Sequence, residues 1–202
     1  AHVFSDDFES ELDALFVEGL RMASLTHFFD TDFGGSVQGL EKGGLTEKGR
    51  RLIAEFERRG VVIDLAHASH ATIDDVLAMA TRPLVFSHTW VAGTCDQFHN
   101  LQDRHIEAIA ANGGVIGIGL WDTAVCGVRA EDSVRAIGHV ISLVGDEHVA
   151  LGSDFDGYVS THFDATGMPA ITQAMMDAGM SEQTIGRVLA GNAIRVLRAS
   201  LP

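Results

Sequence analysis

The sequence predicts an α/β fold of the (β/α)8 TIM-barrel type, here strands four to eight only, an incomplete barrel. Three observations carry this reading. Short apolar runs alternate with stretches of helical periodicity, the repeating unit of a parallel sheet covered by helices. Several of those runs stop on a histidine or an acid, and ligands collect at the C-terminal ends of such strands. The 202 residues hold five runs of this kind, whereas a closed barrel needs eight strands and about 250 residues is typical. The chain therefore reads as one domain over residues 1–202, the last five β/α units of a barrel without its N-terminal part.

Each element follows from local pattern. Ser5 to Gly19 is expected to be helical, because Phe8, Leu12, Leu15 and Phe16 recur at helical spacing and acids crowd the first turn. Leu20 to His27 is a short buried run, giving a first strand at 21–27. The Gly-rich segment FFDTDFGGSVQGLEKGG is a loop of the size that carries function. Thr46 caps the helix EKGRRLIAEFERRG, which stops at Gly60. VVIDLAH and PLVFSH give strands at 61–67 and 83–88 around the helical ATIDDVLAMA. TWVAGTCDQFHNLQD is a second long loop, followed by a helix over 103–112. GGVIGIGLW is a strand at 114–121, with glycines where backbones or ligands come close. A helix over 131–144 leads to a strand at 148–154, and helices over 167–178 and 181–200 close the chain, the last capped by Ser181. The strands at 21–27 and 148–154 are expected to be sheet edges with unpaired backbone groups. That favours self-association, a homo-oligomer included.

Composition excludes some functions. A net charge of −14 argues against nucleic acid and against an anionic membrane surface. No apolar run reaches the ~18 residues of a transmembrane helix. The first residues, AHVFSDDFESEL, are acidic and do not read as a signal peptide. Cys95 and Cys126 make no CxxC pair and suggest no disulfide framework. Together these features favour a cytoplasmic, reducing compartment.

The chemistry-bearing residues sit at strand ends. His67 and His88 hold matched positions on neighbouring strands, which points to a shared metal ion. The alternative is that both cap strand ends by hydrogen bonding. His70 reads as a cap or a support for a ligand. Asp154 and Asp156, in GSDFDG, close the last strand. Asp154 lies nearer the regular strand and can ligate a metal, hold a water or pass a proton. His27 can donate a hydrogen bond to a developing oxyanion, or be structural. His99 and Arg104, in or after the loop behind His88, fit substrate contacts. Trp121 ends the fourth strand and reads as a pocket wall or as plain core.

GLTEKGRRL, VVIDLAHAS, PLVFSHTW, LGSDFDG and GNAIRVLRA, in this order and spacing, resemble the membrane (renal) dipeptidase family. The resemblance covers nearly the whole chain. It implies an amidohydrolase-type barrel and a zinc metallopeptidase that hydrolyses dipeptides with metal-activated water, often with two zinc ions. By that resemblance His67 and His88 hold one zinc, His27 contacts substrate and steadies the tetrahedral intermediate, and Asp154 assists proton transfer. His99 matches a family arginine that binds the substrate carboxylate. Histidine is shorter and only partly charged near neutral pH. The family's His-x-Asp pair and a bridging glutamate, which complete the second site, would lie upstream of Ala1. At most one metal site is then supported, and the isolated chain is expected to be weak or inactive. The alternative is a non-catalytic relic, or a fragment that needs a partner chain to close the barrel.

Overall fold

Helices form in this chain where one apolar face can be buried, and in some of them a side chain also takes up a first-turn amide. The computed structural model describes residues 1, 3–97, 100–161 and 163–202, without the side chain of Ala124. The chain divides into two compact units, Ala1–Val85 with Val196–Pro202, and Phe86–Arg195.

In the first unit, α1 (Phe8–Val17) buries Phe8 and Leu12, and the Phe8 and Phe33 rings meet edge to face at 5.6 Å. A short β1 (Met22–Ser24) follows. Helix α2 (Glu47–Arg59) starts at Thr46, whose side chain accepts from Gly49 N, and ends at Gly60 with φ 72. That left-handed value suits glycine. Its buried Leu52, Ile53 and Phe56 lie on one face, as i, i+1 and i+4 positions must. Strand β2 (Val62–Asp64) is buried throughout and pairs in parallel with β1, Met22 opposite Val62. Helix α3 (His70–Leu77) is capped by Ser69, so His70 opens the helix and is not its cap. Strand β3 (Val85–Thr89) begins here, with Asp64 opposite Val85 in parallel.

In the second unit, α4 (Asp103–Ala111) buries Ile106 and Ile109. Strand β4 (Val115–Ile118), buried throughout, pairs in parallel with β5 (Val149–Leu151). Between them lie a short α5 (Asp122–Val125) and α6 (Ala130–Val144), which buries Val134, Ile137 and Val140. A Cβ on Gly117 of β4 would sit 2.2 Å from the Ser87 carbonyl oxygen, so the strands can close only on glycine there. The expected close approach at these glycines is present. Helix α7 (Met168–Asp177) follows. The strand order is β1-β2-β3-β4-β5, with β1–β2, β2–β3 and β4–β5 paired in parallel and β1 and β5 at its ends.

Four expectations change. The strands are shorter than their apolar runs, because pairing stops before the chain turns into each loop. The final helix is not continuous: α8 (Glu182–Gly186), capped by Ser181, passes through a π-helical turn (Arg187–Gly191) into α9 (Asn192–Ser200). The wider turn accompanies the buried Asn192 amide, which donates to Asp146 O at 2.7 Å and Val149 O at 2.8 Å. The loop after β4 contains α5, a turn too short to show periodicity. Finally, Cys95 and Cys126 are joined in a disulfide, with Cα atoms 5.5 Å apart across 31 residues of sequence. The loops after β3 and β4 bring them together, which spacing alone does not reveal. The reducing-compartment reading loses its support from unpaired cysteines. Among the described residues no helix is long and apolar enough to cross a membrane.

Candidate active site

The strand ends place the candidate residues by a common rule. His27, His67, Trp121 and Asp154 each stand three residues past the last strand residue, which are Ser24, Asp64, Ile118 and Leu151. His88 differs and lies inside β3. Apolar runs continue for a turn beyond the last ladder pair, so each run ends on its polar residue after the strand has ended.

In the first unit His27 and His67 come together, their ring centroids 4.4 Å apart and nearly perpendicular. Phe28, which the sequence reading did not single out, lies against both, 4.2 Å from the His27 ring and 5.5 Å from the His67 ring. His67 adopts φ 64, and Asp154 in the second unit φ 54. Left-handed backbone at a non-glycine residue is costly and persists where surrounding structure enforces it, often at functional positions. For His67 the enforcing contacts come from the loop before α2. Its carbonyl accepts from Val37 N at 2.9 Å, and Ser36 bridges Ala68 in an antiparallel pair.

The loop that makes these contacts is built on Asp30. Burial opposes its charge. The backbone amides of Glu41, Ser36, Lys42 and Leu40 outweigh burial and hold the carboxyl below its usual range. Two of those bonds, to Ser36 N and Glu41 N, are each 2.8 Å. The Ser36 hydroxyl in turn donates to the His27 carbonyl at 2.5 Å.

In the second unit His88 Nδ1 is 2.9 Å from Ser87 Oγ. The His88 ring is 6.0 Å from the ring of Trp121, and Trp121 also meets Trp90 at 5.6 Å. Trp121 is only 5% exposed, so any pocket wall it forms is also core. A Cβ on Gly157 would lie 2.3 Å from Asp154 Oδ1. The glycine of the DFDG segment therefore makes room for the carboxylate, while Asp156 is exposed. His99, the expected substrate contact, lies outside the described residues. Arg104 Nε donates to Gln102 Oε1 at 2.9 Å.

The ring contacts of His67 and His88 bear on metal binding. Each has Nδ1 beside an uncharged oxygen, Gln38 Oε1 at 3.4 Å for His67 and Ser87 Oγ for His88. An Nδ1–H donated to such an oxygen puts the metal-binding lone pair on Nε2. A ring so arranged offers Nε2 as a single donor to a metal ion. Among the described residues no three His, Cys, Asp or Glu side chains are gathered to hold an ion. Ser87 was legible beside His88 in FSH. Gln38 carried no signal, since its relation to His67 spans 29 residues.

Parallel strands with helical crossovers and polar residues past their C-terminal ends define the α/β barrel class of fold. Solved structures agree on the fold. A metallo peptidase from Rhodobacter sphaeroides, liganded with a phosphinate mimic of the dipeptide L-Ala-D-Ala, superposes with a TM-score of 0.87 at 29% identity, over 94% of this chain and 58% of its own. The dipeptidase AC, a metallo peptidase of family M19, gives 0.85 at 31% identity over 95% of this chain and 60% of its own. The profile of the membrane dipeptidase family, peptidase family M19, matches residues 1–200, and the chain belongs to that family. Dipeptidase aclJ of Aspergillus oryzae (strain ATCC 42149 / RIB 40) is 32% identical over 191 residues, 89% of this chain and 45% of aclJ. A protein encoded in the pqqA 5′ region of Klebsiella pneumoniae is 30% identical over 93% of this chain and 75% of its own length. The chain spans about half the length of the Aspergillus dipeptidase and under two thirds of either solved peptidase.

Proposed function

We propose that this chain carries part of the active site of a zinc-dependent dipeptidase, within a single domain over residues 1–202. The observation that supports it best is the pairing of His27 and His67 past neighbouring strand ends in a member of a dipeptidase family. His67 and His88 are the metal ligands. A bound zinc ion would supply an acidified water and polarisation of the scissile carbonyl. His27 donates a hydrogen bond to the oxygen that becomes negative as the carbonyl is attacked. Asp154 takes the proton of the attacking water and passes it to the leaving amine, which a carboxylate can do when held close. Trp121 and Phe28 limit the space beside the histidines. His99 contacts the substrate carboxylate and binds it more weakly than an arginine would.

His67 and His88 alone fall short of a full zinc coordination set of four. The second reading is a domain that has lost catalysis or that needs a partner chain to close the barrel. Metal analysis and a dipeptide hydrolysis assay decide between them, on the full-length protein and on its His67→Ala and His88→Ala variants. Bound zinc and turnover in the parent, lost in both variants, support the dipeptidase. A folded protein that binds no metal and cleaves no dipeptide refutes it.

A further inference from the structure

We propose that Gln38 is a positioning residue of this site: its side-chain oxygen takes the Nδ1 proton of His67 and so puts the metal-binding lone pair on Nε2. The inference rests on the dipeptidase reading above for the role of His67, and on this structure for the role of Gln38.

The geometry begins with the loop between β1 and α2. Residues 35–38 run antiparallel to the turn at 67–69. Val37 N donates to His67 O, and Ser69 N donates to Gly35 O, both at 2.9 Å. This places the Gln38 side chain beside the His67 ring, with Oε1 3.4 Å from Nδ1. An amide oxygen only accepts, so the contact is a bond when Nδ1 carries the proton. In the neutral ring the other nitrogen then has the lone pair.

Ser36 sets the direction. Its hydroxyl has one proton and spends it on the His27 carbonyl at 2.5 Å, the shorter of its two contacts. The same oxygen accepts from Gln38 N at 3.2 Å, which fixes where the Gln38 backbone starts. Its 3.3 Å contact with Gln38 Oε1 is secondary. One buried serine therefore ties the carbonyl of His27 to the residue that orients His67.

The loop is rigid for reasons that reach beyond Ser36. Asp30 gathers the amides of Ser36 and Glu41, and a Cβ at Gly39 would lie 2.0 Å from Asp30 Oδ1. On the other side, Ser69 Oγ donates to Gly43 O at 2.6 Å, and the buried Thr72 hydroxyl accepts from Gly35 N at 3.1 Å. Gln38 is thus held from both ends before any metal binds. Pre-oriented partners of ligand histidines typically contribute ten- to hundredfold in metal affinity.

The test has a metal-free readout and a metal-binding one, both on the full-length protein. Nitrogen-15 NMR of the histidine rings without metal is expected to show His67 protonated at Nδ1. A ring protonated at Nε2 would overturn the proposal. Zinc affinity, by competition with a chromophoric chelator, is expected to fall ten- to hundredfold in Gln38→Ala and to stay within a few-fold of the parent in Gln38→Glu, which keeps an acceptor oxygen. Circular dichroism checks that each variant is folded, and the NMR readout on the parent needs no variant. If His67→Ala loses zinc and Gln38→Ala does not, the positioning role is wrong and the dipeptidase reading stands. If His67→Ala binds zinc as the parent does, the reading of the site itself is wrong.

Discussion

Replacing Asp30 by alanine should open the loop between β1 and α2 while leaving the helices of the first unit folded. The carboxylate accepts two backbone N–H bonds of 2.8 Å, from Ser36 and Glu41. A hydrogen bond to a charged group contributes roughly 1.5–3 kcal/mol net. Water can take up part of the freed amides, so about 2–4 kcal/mol is expected for the pair. At about 1.4 kcal/mol per tenfold, the amides of Ser36 and Glu41 should exchange with solvent about thirtyfold to several hundredfold faster. Amides of α2 should change far less, because the loop opens locally. The effect is pH-dependent with a definite sign. The folded Asp30 carboxyl is held below the ordinary aspartate value of 3.8. Its stabilisation is therefore complete above that value and is lost as pH falls through the lower folded one. In the parent, exchange of these two amides should accelerate in acid beyond the intrinsic trend, and in Asp30→Ala this extra step should vanish. Unchanged protection of Ser36 and Glu41 in the variant would refute the argument that Asp30 builds the loop.

Three further outcomes are expected. Reduction of Cys95–Cys126, which closes a loop of 31 residues, should cost about 3–4 kcal/mol by loop-closure entropy, read as a lower melting temperature with reductant. An unchanged melt would show that the loops stay joined without the bond. Asn192→Ala strips one buried and one partly buried backbone carbonyl of their amide donor and should cost about 2–4 kcal/mol in urea unfolding, and a loss under 0.5 kcal/mol would mean that water replaces the side chain. The 202-residue chain, supplied with excess zinc, should hydrolyse dipeptides far more slowly than an intact family member, and comparable turnover would show that its own residues complete the site.

Much of the fold was legible because its determinants are local. Thr46, Ser181 and Gly60 act within one turn of their helices, so residue type and position suffice to place those ends. The parallel order followed from apolar runs separated by helices, each too long for a hairpin. The polar residue closing each run marked the C-terminal end of a strand, and His27, His67 and Asp154 each stand just past one. The runs overstated the strands, since burial continues past the last ladder pair. His67 and Asp154 consequently lie in left-handed turns beyond the strands, a conformation that composition does not announce.

The sequence by itself determined the α/β class, the family and the strand-end histidines, because hydrophobic period and residue order act over short spans and survive in the chain as written. The tertiary structure decided the rest. Cys95 meets Cys126, Asn192 reaches Val149, and Gln38 reaches His67 across 29 residues or more. Such pairings depend on how loops of fixed length close over the strands, and nothing in the residues flanking either partner encodes them. The orientation of His67 belongs to this second kind: its identity is a letter in the sequence, but its backbone angle and Nδ1 partner are imposed by a distant loop folded on Asp30.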